Sequence, residues 1–134
     1  MIRKSFVLTV AFVLCALAFY GCSSEPKKES TSYTITMRVE PDPPAGGQDN
    51  KVHVTLQDSS GNAVKDAEVR MTLTMPAMPE MKMAEMKASA DLPWTGSDYS
   101  APVQISMAGG WDVVVEARKG GNVLATYKSH LEAR

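Results

Sequence analysis

Cysteine is scarce in this 134-residue chain: there are two, Cys15 and Cys22, both within the first 22 residues. Everything after them lacks a thiol, which excludes a disulfide, a redox pair, a thiolate metal site and a cysteine nucleophile from the body of the protein. Histidine is as sparse, with His53 and His130 alone. His53 falls on the outward parity of an alternating segment and His130 close to the C-terminus, so both read as surface residues and neither suggests an oriented Ser-His-Asp relay. An excess of one charge is missing too. With 14 basic against 15 acidic side chains and a net charge of -1, there is no surplus of Lys or Arg to neutralise phosphates, and nucleic acid is excluded as a partner. Gly46-Gly47, Gly109-Gly110 and Gly120-Gly121 each stand between strand-like segments with no helix behind them, so none is a phosphate loop. Acidic residues are scattered without the ligand period of a calcium loop. On these absences the chain is expected not to be an enzyme.

A membrane-spanning run is also lacking. The longest apolar stretch, Phe6 to Tyr20, is shorter than the roughly 20 residues that cross a hydrocarbon core. It follows a basic cap, Arg3 and Lys4, and ends at Gly21-Cys22-Ser23-Ser24, the layout of a signal peptide. It resembles a bacterial lipoprotein signal, cut just ahead of a lipidated cysteine. That resemblance implies a signal peptide over 1–21, an acylated Cys22 buried in membrane lipid, and a location in the cell envelope outside the cytoplasm. Three acyl chains hold where one is marginal. Ser23 after the cysteine points to the outer membrane if the envelope is Gram-negative. Residues 22–30 are polar with nothing to bury, as a flexible tether requires, and one domain is expected over 31–134.

Within that domain the dominant period is two. Tyr33, Ile35, Met37 and Val39 alternate with polar neighbours, as do Val52, Val54 and Leu56; Val69, Met71, Leu73 and Met75; Met86, Ala88, Ala90 and Leu92; Tyr99, Ala101, Val103, Ile105 and Met107; Trp111, Val113, Val115 and Ala117; and Val123, Ala125 and Tyr127. Between them lie Pro, Gly and Asn turns. Seven short alternating segments without a helical period predict an all-β antiparallel sandwich. Its core is expected to contain Val52, Val54, Leu73, Val103, Ile105, Trp111, Val113 and Val115. One segment is ambiguous: Glu80–Ala90 has helix-favouring composition, but Pro76, Pro79 and the parity of its apolar residues favour a loop followed by a strand.

Methionine is what the sequence has in excess. Of nine in the chain, Met71, Met75, Met78, Met81, Met83 and Met86 crowd together, and Met107 stands on a segment that can lie beside them. A thioether is a soft, neutral ligand that selects Cu(I), and an oxidising compartment does not consume it as a disulfide. Met71, Met75 and Met107 share parity with core residues and read as packing; Met78, Met81 and Met83 have no periodic reason to be buried. Exposed methionines also suit an adaptable protein-binding surface. Both readings are open at this point.

The run from Ala67 to Met83 with its Met75-Pro76 bend, then Gly96-Ser97-Asp98-Tyr99-Ser100, then Met107-Ala108-Gly109-Gly110-Trp111-Asp112-Val113-Val114-Val115 resembles the YtkA-like domain. Such domains are small exported immunoglobulin-like modules related to FixH-like proteins. Gly96 stands one residue further from Tyr99 than the usual pattern has it, and an additional glycine separates Met107 from Trp111. The resemblance implies an immunoglobulin-like fold of about seven strands and an association with copper, with Met75, Met78, Met81, Met83 and Met107 as the positions that would hold Cu(I). The implied partner is an envelope component of copper transport or oxidase assembly. The alternative is a metal-free interaction or structural module of the envelope.

Overall fold

The computed structural model describes residues 32–134. The expected signal peptide, Cys22 and the expected tether lie outside the described residues. Seven strands follow in order: β1 (Thr34–Glu40), β2 (Gln48–Gln57), β3 (Glu68–Met75), β4 (Met86–Leu92), β5 (Tyr99–Ile105), β6 (Gly109–Lys119) and β7 (Asn122–Ala133). They form two antiparallel sheets, β1-β2-β5 and β4-β3-β6-β7. Placing the fourth strand beside the third, rather than in the sheet of the first two, gives a three-on-four immunoglobulin-like sandwich. Across the two layers β4 lies against β5 and β1 against β7.

Alternation sets the register. Val52, Val54 and Leu56 of β2 are all buried, and burying each stabilises the fold by roughly 1.5–3 kcal/mol. A slip of one residue would turn all three outward at a loss of about 5–9 kcal/mol, comparable with the whole stability of a small domain. All eight expected core residues are buried, and Val39, Met71, Met75, Leu92, Tyr99 and Ala117 are among those that join them. The ambiguous segment resolves as loop then strand: a three-residue 3-10 turn, Pro79–Met81, stops at Lys82 in left-handed backbone (φ 55), and β4 begins at Met86. A proline at the start and a left-handed residue at the end confine any helix to one turn.

Two loops meet at one end of the sandwich. The Gly46 amide donates to the Arg134 carbonyl at 2.8 Å and the Arg134 amide to the Pro44 carbonyl at 2.9 Å, which ties the β1–β2 loop to the C-terminus. Asn50 is buried on the inward parity of β2, and its amide side chain exchanges hydrogen bonds with the Ala45 backbone at 2.7 and 2.9 Å. At the other end the Tyr99 hydroxyl donates to the Val64 carbonyl at 2.7 Å and accepts from the Ala67 amide at 3.0 Å. It thereby pins the β2–β3 connection to the start of β5.

Candidate functional site

The methionine-rich segment is the tip of the β3–β4 hairpin. Met75 and Met86 are cross-strand partners at the end of the regular ladder. Beyond Pro76 and Ala77 the pairing resumes at Met78 and Met83, which exchange both backbone hydrogen bonds, Met78 amide to Met83 carbonyl at 2.9 Å and the reverse at 3.1 Å. The Met81 amide donates to the Met78 carbonyl at 3.0 Å and closes the turn. Two methionine pairs are therefore stacked along one hairpin, with Met81 on its outermost turn.

Their burial differs sharply. Met75 is 2% exposed and belongs to the core, with its methyl group set so closely under Gly109 that a Cβ there would lie 3.0 Å from it. Met78 and Met86 are half-buried and rest on the core, Met83 is half-buried, and Met81 is 57% exposed. Met107 also packs half-buried on the core, and its carbonyl accepts from the Trp111 indole at 3.1 Å. Because β3 and β6 run antiparallel with Thr74 opposite Asp112, the end of β3 and the β5–β6 loop that carries Met107 share one end of the sandwich. The hairpin segment itself carries Glu80, Lys82, Glu85 and Lys87, which sum to no net charge, and Lys87 is paired with Glu85 at 2.9 Å.

Neither histidine turns toward these methionines. His130 stands on the outward face of β7, where Nδ1 meets Asp112 at 2.9 Å and Nε2 meets Glu132 at 3.0 Å. The two carboxylates hold the imidazolium and raise its pKa above the ordinary value, Asp112 contributing most. The raised direction fixes the sign of the pH effect: this contribution to stability is complete below the unfolded pKa of about 6.5 and disappears as pH rises through the folded value. An NMR titration is expected to place the His130 midpoint above about 6.5, and Asp112→Asn is expected to lower it. An unchanged midpoint in that variant would show that Asp112 does not hold the ring.

His53 departs from the surface reading. Its side chain is 14% exposed and lies on the outer face of the three-stranded sheet, with Nδ1 2.8 Å from Asp98 Oδ2. Asp98 in turn accepts from the Thr95 hydroxyl at 3.0 Å. Burial works against charge on Asp98, but hydrogen bonds from His53 and Thr95 outweigh it and hold the carboxyl below the usual range. The partners are 45 residues apart, which is why parity alone did not reveal them. His53 Nε2 is buried and has no hydrogen-bond partner, so no hydroxyl is placed on it as a nucleophile. A depression of about 720 Å³ lies at the far end of β3 from the methionines. Arg70 beside it is held by Asp91 at 2.7 Å and Arg118 by Glu116, which leaves it without an unpaired cation.

A family model described as YtkA-like matches residues 27–116. The chain belongs to the YtkA-like family. The match takes in β1 to β5 and most of β6, and ends before β7. The methionine hairpin and the Met107–Trp111 segment of this YtkA-like protein both lie inside it. The YtkA-like family is not a known family of enzymes, and membership fits an accessory protein of the envelope. No curated protein matches the chain.

Proposed function

We propose that this YtkA-like protein is a non-enzymatic accessory lipoprotein of the cell envelope, anchored through acylated Cys22, that binds Cu(I) and passes it to an envelope partner. The ligands are the thioethers of Met78, Met81 and Met83, with Met107 within the same end of the sandwich and Met75 as the buried floor beneath them. The observation that carries the reading is the Met78–Met83 pair, held by two reciprocal backbone hydrogen bonds across a turn that presents Met81 to solvent. Backbone pairing reduces the entropy lost when two sulfurs converge on one ion, and neutral soft donors favour Cu(I) over Zn(II).

The test is competition of the purified protein against a Cu(I) chelator under anaerobic, reducing conditions. Changing Met78, Met81 and Met83 together to Leu keeps the approximate volume and removes the sulfurs, and the affinity is expected to fall roughly tenfold or more. Affinity should persist from about pH 7 to about pH 5.5, because thioethers have no proton to lose over that range. Equal binding by the triple variant removes the hairpin from consideration as the site. A second reading has one observation in its favour: Met81 is one of two large apolar side chains exposed among the described residues, the other being Val123. If the protein shows no Cu(I) affinity but retains a membrane partner that the triple variant loses, the hairpin is an interaction surface instead.

A further inference from the structure

The outer face of the three-stranded sheet holds a polar cluster that the methionine site does not use. Asp98 is an acceptor when ionised, so the imidazole nitrogen facing it, Nδ1 of His53, carries the proton. In the neutral ring Nε2 then presents a bare lone pair. Glu40 Oε2 stands 3.8 Å away, and a carboxylate has no proton to offer either. The separation exceeds the 3.2 Å limit for a good N–H···O hydrogen bond even if the ring is protonated. It does fit a cation between the two atoms: bonds of about 2.0–2.1 Å to each close a bent N–M–O angle of roughly 135° at this separation. A small rotation of exposed Glu40 narrows that to a tetrahedral angle. The other oxygen of Glu40 is steadied by the Arg38 guanidinium at 3.3 Å. A recess of about 280 Å³ on the same face is lined by His53 and Asp98 together with Thr36, Arg38, Thr55 and Ser97.

We infer that His53 Nε2 and Glu40 form a site for a borderline divalent cation of the Zn(II) or Cu(II) class, with Asp98 as the positioning residue behind the imidazole. The arrangement is that of a metal-ligating histidine whose other nitrogen donates to a carboxylate, which fixes the tautomer and raises ligand basicity. Thr95 extends the support one bond further by donating to Asp98. Two protein ligands make a site of modest affinity, in nitrogen and oxygen rather than sulfur. It is therefore separate in place and in chemistry from the methionine hairpin, and does not depend on it.

The experiment is a Zn(II) titration of the purified ¹⁵N-labelled protein followed by long-range ¹H–¹⁵N correlation of its two imidazoles, with His130 as the internal reference. His53 Nε2 is expected to shift and saturate at a Zn(II) concentration roughly tenfold or more below that which affects His130. Glu40→Gln, at an exposed side chain, and Asp98→Asn should each weaken the response about tenfold or more. The Met78, Met81 and Met83 triple Leu variant should titrate as the parent does. If His53 fails to respond ahead of His130, or responds equally in Glu40→Gln, the inference is overturned and the gap holds no ion.

Discussion

Trp111→Ala is expected to lower stability by about 3–5 kcal/mol, seen as a fall in the urea midpoint at unchanged slope. The indole is 1% exposed and is the largest of the fully buried side chains. Its removal leaves a cavity between two sheets whose backbones are fixed by their ladders and can close only in part. The indole also donates to the Met107 carbonyl, so the variant releases the β5–β6 loop as well as emptying the core. Trp111→Phe separates the two effects: most of the packing stays while the hydrogen bond is lost, and about 1–2 kcal/mol should go. A loss below about 1 kcal/mol for the alanine variant would mean that the sheets do not pack around this residue.

Gly46→Ala is expected to cost about 2–3 kcal/mol, although it adds a single methyl group. A Cβ there would lie 2.3 Å from the Ala108 amide nitrogen and 2.6 Å from the Met107 carbonyl carbon. Both atoms are backbone, so no rotamer change relieves the contact, and the β1–β2 and β5–β6 loops must move apart. Next to it, Gly47 has φ 73 and nothing within 4 Å of the equivalent position. Gly47→Ala should therefore lose only the left-handed backbone term, about 1–2 kcal/mol. Thermal or urea unfolding of the pair distinguishes contact from conformation: equal losses would show that the two loops do not touch at Gly46.

How much of this was legible beforehand depends on whether the signal is local. The seven strands were, because side-chain parity reports directly on which face is buried, and the core set from Val52 to Val115 followed from it. Strand starts were less so. β2 begins at Gln48, where the sequence reads Gln-Asp-Asn-Lys and shows no alternation; Asn50 faces inward as a polar residue because it hydrogen-bonds the loop behind it. In the methionine segment, composition favoured helix and parity favoured strand, and the outcome turned on Pro79 and Lys82. The methionine excess was visible from sequence, but its pairing was not, since Pro76 and Pro79 interrupt the pattern that announces a ladder. The His53–Asp98 contact joins β2 to the β4–β5 connection across the chain, and no spacing within either segment encodes it.

The resumption of pairing at Met78 and Met83, in step with Met75 and Met86, constrains how this hairpin can change in length over evolution. Each arm between the two methionine pairs has two residues, Pro76-Ala77 on one side and Ala84-Glu85 on the other. Removing one residue from a single arm would shift that strand by one and send its methionine to the opposite face. The segment from Pro79 to Lys82 lies beyond the last pair and carries no such restriction. Insertions and deletions among kin of this protein should accordingly gather at the tip, while the two arms shorten or lengthen only together.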